Sequence, residues 1–392
     1  MASTYVRDAP SVKEEEGGLG AVPGPRPRPF RVLSLDGGGM RGVYASTYLG
    51  ELAEAFARKR HVPALDVGKG FDLIVGTSTG GIVACALAAG VPLRDVVALY
   101  REHGAAIFPM KLPTRFRFSL ITQLFTRPAA LASGARALRE ILEARFGNET
   151  LEDVYTRRRI ALAIPAVEMN RHHSWVFKTP HHPNTNGRDN RYRLADVCLA
   201  TTAAPLFRSL APLDDPNGGA SYFVFADGGL WANNPVIVGL VEALELATPE
   251  QPIEIFALGT CGRPAGQRID RGDVHRGLVA WKFGGEAAAV SLDAQEFAFD
   301  NIARMLSRHL DHPCTVLRFP RGQIPADVMQ YLDLDETRSA AADALINQAR
   351  HDVNMTNSVC GDPGHHEGQL ICGLFMDLPV LATPEISPHP TS

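Results

Sequence analysis

The stretch "RVLSLDGGGMRGVY", Arg31–Tyr44, decides the fold because it joins a strand, a glycine turn and a helix. Its apolar run is typical of a buried strand, and the apolar spacing after Gly42 is typical of a helix. The spacing Gly37-x-Gly39-x-x-Gly42 also matches the dinucleotide-binding fingerprint. A glycine turn that enters a helix directs several N–H groups at one point, where they bind a pyrophosphate or the oxyanion of an acyl-transfer intermediate. This stretch alone leaves both functions open.

Composition favours an ordinary globular enzyme. The chain has 392 residues, of which 45% are hydrophobic and 21% charged, with a formal net charge of −4. This charge provides no general attraction to nucleic acid, so DNA and RNA are not expected as partners. The first residues contain no apolar signal region, and no run reaches the ~18 apolar residues of a membrane span. We therefore expect a cytoplasmic protein.

Alternating strand and helix patterns predict an α/β fold. After the first strand and helix, "GFDLIVG" and "GGIVACALAAG" repeat the pattern. Consecutive units of this kind predict a parallel sheet covered by helices on both faces. Helices are also predicted over residues 279–308 and 336–354. The predicted organisation is a flexible N-terminal leader at 1–29, a catalytic domain at 30–262, and a mainly helical C-terminal region at 263–392 packed on the same core.

A second glycine motif supplies a candidate nucleophile. Gly76, Ser78 and Gly80 form a G-x-S-x-G sequence between a predicted strand and a predicted helix. This is the context of a nucleophilic serine on a tight strand-to-helix turn. The amides that follow Ser78 and the helix dipole would stabilise negative charge on an attacked carbonyl oxygen. The alternative is that Ser78 is only a helix N-cap, a position that serine favours.

A serine hydroxyl needs a base, and the sequence favours an aspartate for this role. None of the thirteen histidines lies in a clear turn at a strand end. The run "YFVFADGG" instead places Asp227 directly after a predicted strand, at the edge where parallel sheets build their sites. The alternative is that Asp227, Gly228 and Gly229 form a plain turn, because Asp and Gly favour turns for backbone reasons.

Three blocks together resemble the patatin-like phospholipase family. "DGGGMRG", "GTSTG" and "DGG" occur in the family's order and on the expected elements, and the similarity extends from about Phe30 to Gly262, including "ATTAAPLF". The resemblance implies a three-layer α/β/α fold with a mostly parallel central sheet and a helical C-terminal region. It also implies a serine lipid acyl hydrolase of the phospholipase A type.

The resemblance assigns roles to individual residues. It implies a Ser-Asp dyad without histidine, with Ser78 as the nucleophile and Asp227 as the base. It further implies an oxyanion hole built from the amides of Gly37, Gly38 and Gly39, with Arg41 at the motif's basic position. The glycines Gly42, Gly76, Gly80, Gly228 and Gly229 complete the three motifs.

The dinucleotide interpretation of the first glycine run is weaker. A dinucleotide-binding fold has an acidic residue ~20 positions after the fingerprint, at a strand end. Here that position is near Glu54, which the pattern places on the exposed face of a helix. We therefore expect no nucleotide cofactor at the glycine turn.

Among family members, the N-terminal blocks are most similar to the CapV-type effectors of cyclic-oligonucleotide anti-phage (CBASS) systems. This similarity implies activation by a cyclic dinucleotide ligand and attack on the phospholipids of the inner membrane by a peripherally acting enzyme. The alternative is a constitutive bacterial lipid esterase, and a homo-oligomer is left open. No metal is expected, because Cys360, His365, His366 and Cys372 have the spacing of no common zinc finger.

Basic and aromatic residues alternate in one segment that lacks acidic residues. Lys111, Arg115 and Arg117 lie close to Phe108 and Phe116. Cations attract an anionic bilayer, and aromatic side chains insert at its headgroup boundary. We expect residues 105–127 to form either a lipid-facing lid or an ordinary solvated loop with phenylalanines turned to the core.

Overall fold

The structure is a computed structural model, and part of the chain lies outside its description. The predicted leader lies outside the described residues up to position 26, and so do residues 113–118 of the predicted lid. The structure describes residues 27–112, 119–218, 221–261, 269–277, 280–281, 284–322 and 324–381, without the side chains of 119–124.

One mixed sheet forms the centre of the described chain. Its strands run in the order β5-β6-β3-β2-β1-β7-β8, with β4 paired to β3. The pairs from β3 through β8 along this path are parallel, whereas β4, β5 and β6 pair antiparallel. The strands are β1 (Phe30–Leu35), β2 (Leu73–Gly76), β3 (Ala161–Glu168), β4 (His173–Lys178), β5 (Ala211–Asp214), β6 (Tyr222–Asp227), β7 (Ile253–Leu258) and β8 (Cys314–Phe319).

Helices connect these strands and cover the sheet. The helix predicted over 279–308 begins later, at Gly285, and the helix predicted over 336–354 continues to Cys360. The helices are α1 (Gly42–Lys59), α2 (Thr79–Ala89), α3 (Leu93–Ile107), α4 (Ser119–Phe146), α5 (Leu151–Arg158), α6 (Leu194–Thr201), α7 (Gly229–Ala232), α8 (Val236–Leu246), α9 (Gly285–Leu306), α10 (Ser339–Cys360) and α11 (His366–Asp377).

Side chains of β1 alternate between two apolar layers, as the period of a strand requires. Leu33 and Leu35 join the larger core with residues of α1, α2 and α3. Val32 points to the opposite layer, where Leu240 of α8 and Ala303 of α9 are buried. The predicted three-layer α/β/α architecture with a mostly parallel sheet is therefore confirmed.

The C-terminal part of the chain packs on the same sheet and adds a strand to it. Strand β8 pairs in parallel with β7. Helix α10 packs along α1, where the Tyr44 hydroxyl donates to Asp352 Oδ2 at 2.6 Å and the Tyr48 hydroxyl lies 2.6 Å from Thr356 Oγ1. Buried hydroxyl groups paired in this way add polar specificity to an apolar contact.

The part of the predicted lid that is described lies against the rest of the molecule. The Lys111 ammonium group is 3.1 Å from Asp333 and 2.8 Å from Glu336. The Arg127 guanidinium donates to the Leu206 carbonyl. Among the described helices, none combines the length and the apolar composition that a bilayer crossing requires.

Candidate active site

Ser78 occupies the turn between β2 and α2. Its backbone has φ 54° and ψ −122°, a conformation that side-chain-bearing residues rarely adopt. The Ser78 N–H donates to Thr201 Oγ1 at 2.9 Å, and this hydroxyl donates to the Pro165 carbonyl at 2.6 Å. Neighbouring elements therefore fix the strained turn and hold the Ser78 side chain in place.

The glycines on either side of Ser78 allow its turn to pack against β1. A Cβ atom at Gly80 would lie 2.3 Å from the Leu35 carbonyl oxygen, and a Cβ atom at Gly76 would lie 2.3 Å from the Gly80 carbonyl oxygen. Neither contact can be relieved by moving a flexible side chain, because both oxygens belong to the backbone. Close backbone approach therefore explains both motif glycines.

Asp227, at the carboxyl end of β6, faces the serine. The Ser78 hydroxyl donates to Asp227 Oδ2 at 2.6 Å, and the Gly229 N–H donates to Asp227 Oδ1 at 2.7 Å. The Gly228 N–H donates to the Thr201 carbonyl at 3.3 Å. The structure thus brings Ser78 and Asp227 into direct contact, with each carboxylate oxygen bound to one donor.

The environment of Asp227 moves its pKa toward neutrality. Burial raises the pKa of Asp227 from 3.8 to about 6. Hydrogen bonds from Ser78 and from the Gly229 N–H oppose this rise, as does the positive charge of Arg208. A carboxylate with this pKa is ionised at neutral pH, yet it is a better proton acceptor than an exposed aspartate.

The first glycine run forms the wall beside Ser78. The Gly37 N–H donates to the Asn233 carbonyl at 2.9 Å, and the Gly38 N–H donates to Thr79 Oγ1 at 3.1 Å. Gly39 has φ 57° and begins a short 3₁₀ helix, while Thr79 begins α2. The first N–H groups of a helix have no acceptor within it. Gly39 and Thr79, whose amides are the first of their helices, line the same cavity as Ser78.

Arg41 lies behind this wall. Its guanidinium Nε donates to the Gly38 carbonyl at 3.3 Å, and the residue is buried. In a trans peptide the C=O and N–H groups point in opposite directions. Arg41 therefore orients the Gly38–Gly39 peptide from the side opposite its N–H.

Gly42 begins α1, where a Cβ atom would meet the Tyr100 ring at 2.8 Å.

A largely apolar cavity of about 280 Å³ opens above Ser78 and Asp227. Its volume and lining suit an acyl chain. No histidine lies among the described residues that line it. Apolar lining residues come from seven parts of the chain and include Ile82, Tyr100, Ile107, Phe108, Leu138, Leu206, Phe207, Leu230, Leu292 and Leu334.

A buried ionic network supports the glycine run from below. The Arg318 guanidinium donates to Asp36 Oδ2 at 2.7 Å and to Asp300 Oδ1 at 2.8 Å. Asp300 also accepts a hydrogen bond from Asn234 Nδ2 at 2.8 Å. Because Asp36 immediately precedes Gly37, strand β8 and helix α9 help to set the position of the glycine run.

Several supporting residues escaped the sequence analysis. Thr201 lies in "ATTAAPLF", a block associated with the family, but its bond to the Ser78 amide is not encoded in that pattern. Asn233 follows the "DGG" motif in "WANNP", where asparagine is equally typical of a turn. Arg208 gave no signal, because its importance comes from a buried position that only the fold reveals.

No metal site is found in the described part of the chain. It contains no group of three or more His, Cys, Asp or Glu side chains placed to hold an ion. His365 serves another purpose, since its Nδ1 accepts a hydrogen bond from the Gly368 N–H at 3.0 Å and caps α11.

Comparison with known proteins places this geometry in a family. A family model described as patatin-like phospholipase matches residues 33–240. A "cGAMP-activated phospholipase" from Pseudomonas aeruginosa is 35% identical over 279 residues, which are 70% of this chain and 74% of the relative. Proteins of the same name from Escherichia coli and Vibrio cholerae are each 37% identical, over 62% and 59% of this chain and 65% and 64% of their own lengths.

The backbone of Ser78 generates a stability prediction. We expect Ser78→Gly to unfold with a free energy about 1 kcal/mol higher than Ser78→Ala, because glycine adopts the positive φ without strain. Both variants lack the hydroxyl, so the difference reports the backbone alone. Urea denaturation of the two variants side by side measures it. Equal stabilities would show that the turn carries no strain.

Proposed function

We propose that this chain, which belongs to the patatin-like phospholipase family, hydrolyses fatty-acyl esters of membrane phospholipids with Ser78 and Asp227 as its catalytic residues. The observation that carries the proposal is the 2.6 Å hydrogen bond from the Ser78 hydroxyl to a buried carboxylate, at the floor of an apolar cavity. The enzyme is a carboxylic ester hydrolase that requires neither histidine nor a nucleotide cofactor for the chemical step.

Acylation follows from the geometry of this pair. Asp227 accepts the Ser78 proton while Oγ attacks the ester carbonyl, and the N–H groups of Gly39 and Thr79 stabilise the oxyanion. When the tetrahedral intermediate collapses, the C–O bond to the lysolipid breaks. Asp227 then returns its proton to the departing alkoxide, which leaves as an alcohol. The fatty acyl group remains on Ser78.

Deacylation repeats these steps with water. Asp227 accepts a proton from water as the hydroxide attacks the acyl carbonyl. The second tetrahedral intermediate expels Ser78 Oγ, which recovers a proton from Asp227. A free fatty acid leaves, and the hydrogen bond between the two side chains forms again.

Activation by a cyclic dinucleotide extends the proposal to regulation. Three similar bacterial proteins carry the name cGAMP-activated phospholipase. On this basis the enzyme responds to cGAMP in bacterial anti-phage defence and acts peripherally on the inner membrane.

Substitution of either dyad residue tests the chemistry. We expect Ser78→Ala and Asp227→Asn each to reduce fatty-acid release from phospholipid vesicles by about 10³-fold or more, because the nucleophile or its proton acceptor is lost. The assay contains cGAMP, and Ser358→Ala, an exposed serine on α10, is the matched control.

Two results would contradict parts of this proposal. Near-normal hydrolysis by Asp227→Asn would exclude the dyad. Equal rates for the unmodified chain with and without cGAMP would instead identify a constitutive lipid esterase.

The pKa of Asp227 predicts the pH dependence. Because the base must be ionised to accept the Ser78 proton, we expect kcat/KM to fall as the pH drops below about 6 and to level off above it. Hydrolysis of a soluble p-nitrophenyl ester, measured across the acid range, shows this fall in kcat/KM without the need for a lipid surface. A pH-independent rate through this range would exclude Asp227 as the base.

A further inference from the structure

Arg208 is a buried cation in the catalytic cavity, and its Nε atom finds no hydrogen-bond partner among the residues that the structure describes. It lines the cavity together with Ser78 and Asp227, and it is 7% exposed. In the described part of the chain the guanidinium forms no ion pair. Its Cζ atom lies 5.8 Å from the centroid of the Phe108 ring.

The other buried arginines near the sheet are bound. Arg31 pairs with Glu254 and Asp377, and Arg41 donates to the Gly38 carbonyl. A buried cation that lacks such partners is strongly destabilising. Burial lowers the pKa of Arg208 to about 10, because the charged guanidinium is separated from water. A ligand with an anionic group would offset this cost of burying the charge.

The Asp227 carboxylate does not replace such a ligand. Its two oxygens already accept hydrogen bonds from Ser78 and from the Gly229 N–H. Its charge raises the pKa of Arg208, so the two groups attract each other at a distance, without a hydrogen bond. The guanidinium donors thus remain available to an occupant of the cavity.

We propose that Arg208 binds the phosphate group of the phospholipid substrate while Ser78 attacks its ester. A guanidinium donates two parallel hydrogen bonds to phosphate oxygens, and this geometry is strong where water is excluded. The apolar lining receives the acyl chain. This inference rests on the proposed function and adds selectivity for anionic phosphodiester lipids over neutral esters. The carboxylate of the released fatty acid has related chemistry and is the competing source of the anion.

Substrate selectivity tests this role. In Arg208→Met, we expect the ratio of kcat/KM for a phospholipid to kcat/KM for a neutral diacylglycerol to fall by about tenfold to hundredfold. Both substrates are presented in the same mixed micelles, with cGAMP, at a pH well above the pKa of Asp227. A loss of activity that is equal for both substrates leaves this ratio unchanged. We expect Arg208→Lys to retain part of the selectivity for phospholipid. The control variant is Arg308→Met, which changes an exposed arginine after α9.

The outcomes separate this inference from the proposed function. A parallel loss on both substrates would show that Arg208 acts only through Asp227 or the fold, and would overturn phosphate binding. Unchanged selectivity with weaker inhibition by free fatty acid would assign the anion to the product and also overturn it. If the unmodified chain hydrolyses neither lipid, the proposed function itself fails.

A second, independent observation concerns the outer face of α9. Ten residues of this helix are exposed, and none carries a formal charge. At 3.6 residues per turn they cover about half of the helix circumference. Phe297 is 75% and Met305 62% exposed. The ten are Ala287, Val290, Ser291, Ala294, Phe297, Ala298, Asn301, Ile302, Met305 and Leu306.

The charges of α9 lie on its other face, which is the reverse of a normal surface helix. Asp300 is buried against Arg318, and Glu296 lies 3.6 Å from the same guanidinium. Glu286, Asp293 and Arg304 are likewise only partly exposed. An uncharged, largely apolar stripe of this length marks an interaction surface.

We infer that this stripe contacts the lipid surface from which the cavity takes its substrate. Ser291 lies both on the stripe and at the cavity, so the two surfaces are continuous, and the exposed Leu206 and Leu230 extend the apolar rim. An acyl chain can then pass from the bilayer to Ser78 without crossing water. A second copy of the chain fits this surface less well. One face of a 22-residue helix, roughly 33 Å long and 10 Å wide, offers roughly 330 Å² of contact area, whereas a stable dimer buries about 800 Å² per partner.

Interfacial activity tests this surface. For the double variant Phe297→Glu and Met305→Glu, we expect the ratio of phosphatidylcholine-vesicle hydrolysis to soluble-ester hydrolysis to fall by about tenfold or more, with a matching loss in vesicle flotation. Binding of the unmodified chain should change little between roughly 0.05 and 0.5 M NaCl, because the stripe is uncharged. Met355→Glu, 55% exposed on α10, is the control.

Three outcomes would decide against the lipid surface or against the function. An unchanged ratio and flotation would exclude the stripe as the docking surface. Dissociation of a dimer by the double variant, with vesicle hydrolysis retained, would identify a contact between copies instead. If the unmodified chain hydrolyses neither the soluble ester nor the vesicles, the proposed function fails, whether or not the stripe binds lipid.

Discussion

The hydrogen bond between Ser78 and Asp227 depends on one strand, β3, which spaces the two side chains. Near its start β3 pairs with β2, where Val75 lies opposite Ala163, and near its end it pairs with β6, where Asp227 lies opposite Ala166. Ser78 and Asp227 are 149 positions apart in the chain, yet each leaves the sheet within a few residues of the same strand. The backbone register of β3 therefore determines whether proton transfer between them is geometrically feasible.

The same site balances burial against hydrogen bonding. Burial raises the pKa of Asp227 and so favours the protonated carboxyl, whereas its two donors and the charge of Arg208 favour the ionised form. The result is a base with a pKa near that of an ordinary histidine, and this explains how an aspartate can activate a serine directly. In our proposal Arg208 acts twice, since its charge helps Asp227 to ionise and its unpaired donors bind the substrate phosphate.

Local pattern predicted the strands and turns that carry the three motifs, because each combines a buried apolar run with a glycine turn. It did not predict that helix α4 begins as early as Ser119, within the segment expected to form a lid or a loop. The family resemblance implies an oxyanion hole from the amides of Gly37, Gly38 and Gly39, which stays a prediction, and the structure adds that the Gly37 and Gly38 amides donate to Asn233 and Thr79. These partners lie far away in sequence, and only the folded chain reveals that Gly39 and Thr79 line the cavity together with Ser78.

Helix α9 shows why its surface could not be interpreted from composition alone. Its acidic residues would ordinarily mark a solvent-exposed face, and its apolar residues a buried one. Arg318 reverses this assignment, because Asp36 and Asp300 share its guanidinium in the interior and Glu296 lies beside it. Once these charges are satisfied inside, the apolar half of the helix faces outward. The network that holds the glycine run thus also leaves the apolar side of α9 exposed beside the cavity, where in our proposal it meets the lipid surface.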